Sequence, residues 1–155
     1  MAQIKRKEAR EMLFGLLFEK EFKGDEAVDG IYEISSENRE IPEDDYIKRG
    51  FFTICEKSEL LDDIIGKYAK GWKADRLSRV SRSVIRLAVY EMLFCSDIPA
   101  NVSISEAVEL VKKFGEDKAR AFVNGVLSSI NKDISEVGVE AFLASHTAKT
   151  EEAAE

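Results

Sequence analysis

The sequence predicts an all-α fold of two small packed helical bundles, about seven helices in total. Three observations carry that prediction. Apolar residues recur at helical spacing along most of the chain, and no segment sustains the period-two alternation of a strand. Only two prolines interrupt 155 residues. Hydrophobic residues at 45% and charged ones at 34% suit amphipathic helices around a core large enough to fold alone.

The elements follow in order. Residues 4–22 form a helix with Ala9, Leu13, Leu16 and Leu17 on one stripe and Phe14, Phe18 and Phe22 beside it, ended by Gly24. Residues 25–36 make a weaker helix through Val28, Ile31, Tyr32 and Ile34. After a loop at 37–43, Glu43, Asp44 and Asp45 open a third helix, where acids complement the dipole. Ser58 is expected to cap a fourth helix containing Leu60, Leu61, Ile64, Ile65 and Tyr68. Gly71 and Trp72 mark a break. Asp75 or Ser78 then starts the most apolar helix, about 76–95, whose near-complete apolar surface places it at the centre. Asp97-Ile98-Pro99 is a turn, and Ser103-Ile-Ser-Glu106 fits a capping box that starts the next helix. Gly115 supplies a left-handed stop. A helix from Glu116 carries Ala119, Phe122, Val123, Val126, Leu127 and Ile130. Within it Gly125 costs about 1 kcal/mol of propensity, which implies a close helix–helix contact. A short helix at 134–144 and a polar tail complete the chain. The expected organisation is an N-terminal bundle over 1–70 with a basic arm, a C-terminal bundle over 75–132, and a weakly helical, then disordered acidic tail over 133–155.

Charge is segregated along the chain. The total is −7, yet residues 1–10 carry four bases and one acid, and residues 64–86 carry seven bases and one acid. Residues 19–63 hold fifteen acids and six bases. A positive surface on an acidic protein points to a specific polyanion, RNA first among them. Lys5, Arg6, Lys7 and Arg10 lie in the first turns of a helix, where the dipole disfavours cations. A phosphate ligand would relieve that repulsion; a solubilising arm is the other reading. Arg79, Arg82 and Arg86 share one helical face and could meet RNA or pair with the acidic segment. Phe122, beside Lys118 and Arg120, is either core or a ring on which a base stacks.

Other chemistries find little support. The lone histidine, His146, falls in the expected disordered tail. Cys55 and Cys95 are isolated in apolar settings, as for reduced buried thiols, and no CxxC pair suggests zinc. No nucleophile–base constellation is visible. Ile65-Gly66-Lys67 lacks the leading glycine of a phosphate loop, since Leu61 stands there. No run approaches the ~20 apolar residues of a membrane span, and the charged first ten residues are not a secretory signal. The expectation is a cytoplasmic protein with no catalytic residues, metal or cofactor.

Three stretches resemble the bacterial NusB family: Arg6-Lys7-Glu8-Ala9-Arg10; Ser81-Arg82-Ser83-Val84-Ile85-Arg86-Leu87-Ala88-Val89-Tyr90-Glu91-Met92-Leu93; and the run from Asp97-Ile98-Pro99 through Glu106-Ala107-Val108-Glu109-Leu110-Val111-Lys112-Lys113-Phe114-Gly115 to Phe122-Val123-Asn124-Gly125-Val126-Leu127. The resemblance spans about residues 5–131. It implies two helical bundles, transcription antitermination and no catalysis. It also implies binding of boxA-type single-stranded RNA from ribosomal RNA leaders together with NusE, on elongating RNA polymerase with other Nus factors. It places RNA contacts at Lys5, Arg6, Lys7, Arg10, Phe18, Lys118 and Phe122. Glu8 replaces a residue often basic. It places the NusE surface at Asp75, Arg76, Ser81 and Arg82, with Ser81 replacing an acid. A buried Glu91 would need a partner. A homodimer that hides the RNA surface is compatible with the resemblance. Two rivals remain: a protein-only helical adaptor with internally paired arginines, and a detached module related to the RNA-binding part of ribosomal RNA cytosine methyltransferases, for which the catalytic domain would be missing.

Overall fold

A computed structural model describes residues 4–24, 27–70, 72 and 77–154, with side chains given as far as His146. Among these residues there are eight helices and no strand: α1 (Arg6–Glu21), α2 (Val28–Asn38), α3 (Asp45–Glu56), α4 (Ser58–Gly66), α5 (Arg79–Phe94), α6 (Ala100–Phe114), α7 (Ala119–Val137) and α8 (Val139–Ala154). Two compact units divide at Glu56 and Lys57, earlier than the break expected at 70–75. The fourth helix therefore belongs to the second unit, where it packs on α5 and α8.

In the first unit, α1, α2 and α3 all pack against one another. The buried stripe of α1 runs through Leu13, Phe14, Leu16 and Leu17, and α3 answers with Ile47, Phe51 and Ile54. Asp44 caps α3 by accepting from the Ile47 amide at 3.0 Å, as the acidic start predicts. Close approach explains Gly50: a Cβ there would lie 2.6 Å from Leu13 Cδ2. Gly24 takes φ 58°, where a side chain would strain the chain end beyond α1.

The second unit is built around α5, which contacts α4, α6 and α7. Burial from Ser83 to Leu93, broken only at Arg86, bears out its central place. Ser78 caps it, its Oγ accepting from the Ser81 amide at 3.1 Å. Glu91 is fully buried and accepts a hydrogen bond from Ser103 Oγ at 2.7 Å. Ser103 is thus not a cap. Pro99 stands at the N-cap and α6 starts at Ala100, so Ser103 lies one turn inside, on the stripe it shares with Ala107, Leu110 and Val111.

Five further expectations are corrected. Ser58 is the first residue of α4 and no side chain caps that helix. Gly115 adopts φ −112°, ψ −155°, which is extended rather than left-handed. What requires glycine there is space, since a Cβ would meet the Val111 carbonyl at 3.0 Å and Val80 Cγ1 at 3.2 Å. Around Gly125 a Cβ would meet nothing within 4 Å, so no close helix contact explains it. The segment 134–155 is not a weak helix and a disordered tail. Helix α7 continues to Val137, Gly138 turns the chain at φ 89°, and α8 follows with Phe142 and His146 buried. The cysteines are half-buried free thiols rather than buried ones.

Polar pins tie the second unit's helices together. Arg86 grips Asp62 with two bonds of 2.8 and 3.0 Å, joining α5 to α4, and its guanidinium lies 5.5 Å from the Trp72 ring. Lys67 Nζ and His146 Nδ1 are 2.7 Å apart, holding α8 beside the end of α4. Tyr68 donates to Asp133 at 2.6 Å. Partial burial, then that carboxylate, push the Tyr68 hydroxyl up to about 12. The bonded, protonated tyrosine is the folded form, so its stabilisation is complete below the ordinary pKa of about 10 and fades as pH rises through 12.

Four variants test this packing in urea titrations. Gly125→Ala stabilises by about 0.5–1 kcal/mol, whereas Gly50→Ala loses about 1–2 kcal/mol because overpacking against Leu13 outweighs propensity. Ser103→Ala costs about 1–3 kcal/mol by removing a donor from a buried carboxylate. Tyr68→Phe costs about 1 kcal/mol, constant from pH 7 to 10 and shrinking above it.

Candidate nucleic-acid interface

The basic arm separates into two kinds of residue. Lys5, Arg6 and Lys7 are exposed at the start of α1. Arg6 lies over the Tyr46 ring at 4.4 Å, so the first turn of α3 props up the arm. The ring's negative face attracts the guanidinium and holds it in place. Arg10 differs: it is only 3% exposed, and its side chain is engaged within the protein. Its place among the expected phosphate contacts is corrected accordingly. Arg10, Leu13, Phe14 and Leu17 fall at i, i+3, i+4 and i+7, which puts the arginine on the buried stripe.

Phe18 lies about 18 Å further along α1 than Arg6, at 1.5 Å per residue. It is half-buried in a ladder of rings, stacked with Phe14 at 5.9 Å and edge-on to Phe22 at 5.1 Å. Phe22 is 57% exposed and was not among the expected contacts. The four-residue recurrence of phenylalanine was its signal, because rings four apart share a face.

In the second unit, Lys118 and Phe122 stand together at the start of α7. Phe122 is half-buried, neither sealed in the core nor fully exposed. Lys118 lies 3.4 Å from Glu116, with side-chain exposures of 85% and 69%. So exposed a pair holds weakly and leaves the ammonium available to a stronger anion. Arg120 is taken up by Asp117 at 3.1 Å.

The expected NusE surface fares differently. Asp75 and Arg76 lie outside the described residues. Ser81 is buried, and its hydroxyl accepts from Ser78 Oγ at 3.2 Å. It shares a stripe with the buried Val84, Ile85 and Ala88. Arg82 is half-buried and engaged in the protein. Among the described residues, no group of His, Cys, Asp and Glu is arranged to hold a metal, and no helix is long and apolar enough to cross a membrane.

These features define a class: among the described residues, an all-helical protein that presents cations at the starts of α1 and α7, with partly exposed rings at Phe18, Phe22 and Phe122. Comparison with known proteins narrows it. The NusB family model matches residues 6–132, and the chain belongs to the NusB family. It is similar to the transcription antitermination protein NusB of Bacillus subtilis (strain 168), 41% identical over 86% of this chain and 99% of that protein. With NusB of Clostridium perfringens (strain SM101 / Type A) it shares 38% identity over 84% of this chain and 99% of the relative. Among solved structures, NusB of T. maritima superposes with a TM-score of 0.73 at 38% identity, over 84% of this chain and 93% of that one. A chain in a crystal structure of antitermination factors NusB and NusE in complex with dsRNA gives a TM-score of 0.72 at 34% identity, over 83% and 96%.

Proposed function

We propose that this chain is a transcription antitermination factor that works by binding rather than catalysis. In this reading it takes up boxA-type single-stranded RNA of ribosomal RNA leaders together with NusE, and acts in the cytoplasm on elongating RNA polymerase with other Nus factors. The observation that carries the reading is the exposed trio Lys5, Arg6 and Lys7, with Arg6 set on Tyr46. These cations tolerate an unfavourable helix-dipole position, which a bound phosphate reverses. The family's antitermination proteins, and the related complex of NusB, NusE and dsRNA, support the choice of nucleic acid and partner.

An unpaired strand is favoured over a duplex by the rings. Phe18, Phe22 and Phe122 each keep part of a ring surface at the solvent. Base stacking on side chains requires bases freed from their own stack, which loops and single strands provide. Phosphate contacts then set affinity, and the rings contribute to sequence choice. NusE covering an adjacent surface would couple the two partners reciprocally, by about 1–3 kcal/mol.

The test is titration of labelled leader RNA, single-stranded and duplex, against the protein, NusE and their mixture. Arg6→Ala with Lys7→Ala is expected to weaken binding and make the dependence on salt shallower by about 1.4, since two phosphate contacts go. An unchanged slope rules the arm out. Phe122→Ala is expected to lower discrimination between boxA-like and scrambled strands more than it lowers affinity for the scrambled one. Equal losses on both would rule out stacking at that ring.

A further inference from the structure

Helix α3 has a solvent-facing side beside its buried one. Its buried stripe is Ile47, Gly50, Phe51 and Ile54. Beside it, Asp45, Lys48, Arg49, Phe52 and Thr53 line an open hollow of about 410 Å3. Those five positions are i, i+3, i+4, i+7 and i+8, a single continuous strip of the helix. The Phe52 ring is half-buried and held in place by Tyr32 at 5.1 Å and Phe51 at 5.6 Å. Lys48 and Arg49 are exposed and take part in no ion pair or side-chain hydrogen bond among the described residues. That sets them apart from Arg39, Arg86 and Arg120, each bound to a carboxylate.

We propose that this hollow is a second RNA-contact site, taking one nucleotide of the strand beyond those held by the N-terminal arm. The inference rests on the RNA-binding reading above. Its volume is within the range of small-ligand sites, about 300–1,000 Å3, and suits one base with its sugar. Two unspent cations beside a fixed ring are the elements of single-strand recognition: phosphates on the charges, a base against the ring. Asp45 would repel a phosphate but accepts hydrogen bonds from a base's amino group or a sugar hydroxyl. The base is therefore placed toward Asp45 and Phe52, and the phosphates toward Lys48 and Arg49. Continuity with the arm comes through Tyr46, the α3 residue that carries Arg6. An acidic peptide would use the same cations but has no use for the preset ring.

The experiment compares wild type, Lys48→Ala with Arg49→Ala, and Phe52→Leu on two RNAs: a minimal boxA-like strand, and the same strand extended by unpaired nucleotides at either end. Wild type is expected to bind an extended strand more tightly. The double variant loses about tenfold on that strand, with a salt slope shallower by about 1.4, and is unchanged on the minimal one. Phe52→Leu also loses about tenfold on the extended strand but keeps the slope, as a stacking contact should. Thermal melting checks that each variant folds; if Phe52→Leu does not, the lysine–arginine pair decides alone. Equal binding of the extended strand by wild type and double variant overturns the site, as does no gain from extension. Loss of NusE binding with RNA binding intact also overturns it, and marks a protein surface instead. Failure of wild type to bind either strand strikes at the RNA-binding reading itself, a separate result.

Discussion

A carboxylate with no exposure sits at the middle of the second unit, and the arrangement around it depends on that burial. Glu91 lies on α5, the helix against which α4, α6 and α7 all pack. Taking a polar group out of water is costly unless its hydrogen bonds are replaced, and more so for a charge. Ser103 Oγ supplies one replacement at 2.7 Å, and this fixes α6 in both rotation and translation against α5. Apolar contacts alone would tolerate sliding by a fraction of a turn; a directional bond to a buried acceptor does not. Once α6 is set, the close approach of Gly115 to Val80 follows, and with it the chain's exit towards α7. The cationic and aromatic pair at Lys118 and Phe122 is thus placed by packing that begins at the buried acid.

The same economy explains how the cations are divided. On the RNA-binding reading proposed above, an acidic chain cannot let every base be captured by its own acids. Arg86 is spent on Asp62 and Trp72, Arg39 on Glu19 and Arg120 on Asp117. Each of these stitches parts of one unit together. Guanidinium is suited to the task, because its planar fork matches a carboxylate with two bonds, as at Asp62. Arg6, over the Tyr46 ring, and Arg49 are among the exposed cations. Sequence position alone does not separate these roles, since Arg6 and Arg10 stand one helical turn apart and only the second is buried.

How much was legible in the sequence follows from what periodicity can report. The helical class, the central place of α5 and the acidic start of α3 were legible, and Ser78 was one of two starts weighed for α5, because apolar spacing and caps are local signals. The family was legible from ordered motifs in α5 to α7. What went unread were polar residues that share an apolar stripe: Arg10, Ser81 and Ser103. Their type suggests a surface or a cap, while their register buries them, and register wins when a partner within the fold is at hand. Gly125 failed in the opposite sense, as no neighbour crowds it. The unit boundary was missed because α4 resembles any amphipathic helix until its long-range partners are known, and Asp62–Arg86 is such a partner across 24 residues. The exposure of Lys5, Arg6 and Lys7 and the ring row through Phe22 were legible from charge and four-residue recurrence, whereas the contact of Arg6 with Tyr46 was not, since it joins groups brought near in space.

Helix α8 shows how a polar-looking segment is recruited. It begins at Val139, beyond the residues that match the family model, which end at 132. Composition argued for disorder, yet two side chains one turn apart suffice to dock it: Phe142 supplies apolar area, and His146 lies against that ring at 4.5 Å while meeting Lys67. A neutral imidazole nitrogen can accept from an ammonium, so the contact satisfies a lysine without cancelling its charge. Gly138, at φ 89°, provides the reversal that lets α8 return to α4. Lys67 belongs to the basic segment 64–86, as does Arg86, and both are occupied within the second unit. At these two positions the segment's charge serves the fold. Its excess of positive charge is partly structural, and on the proposed RNA-binding reading the exposed Lys5, Arg6 and Lys7 at the start of α1 matter more.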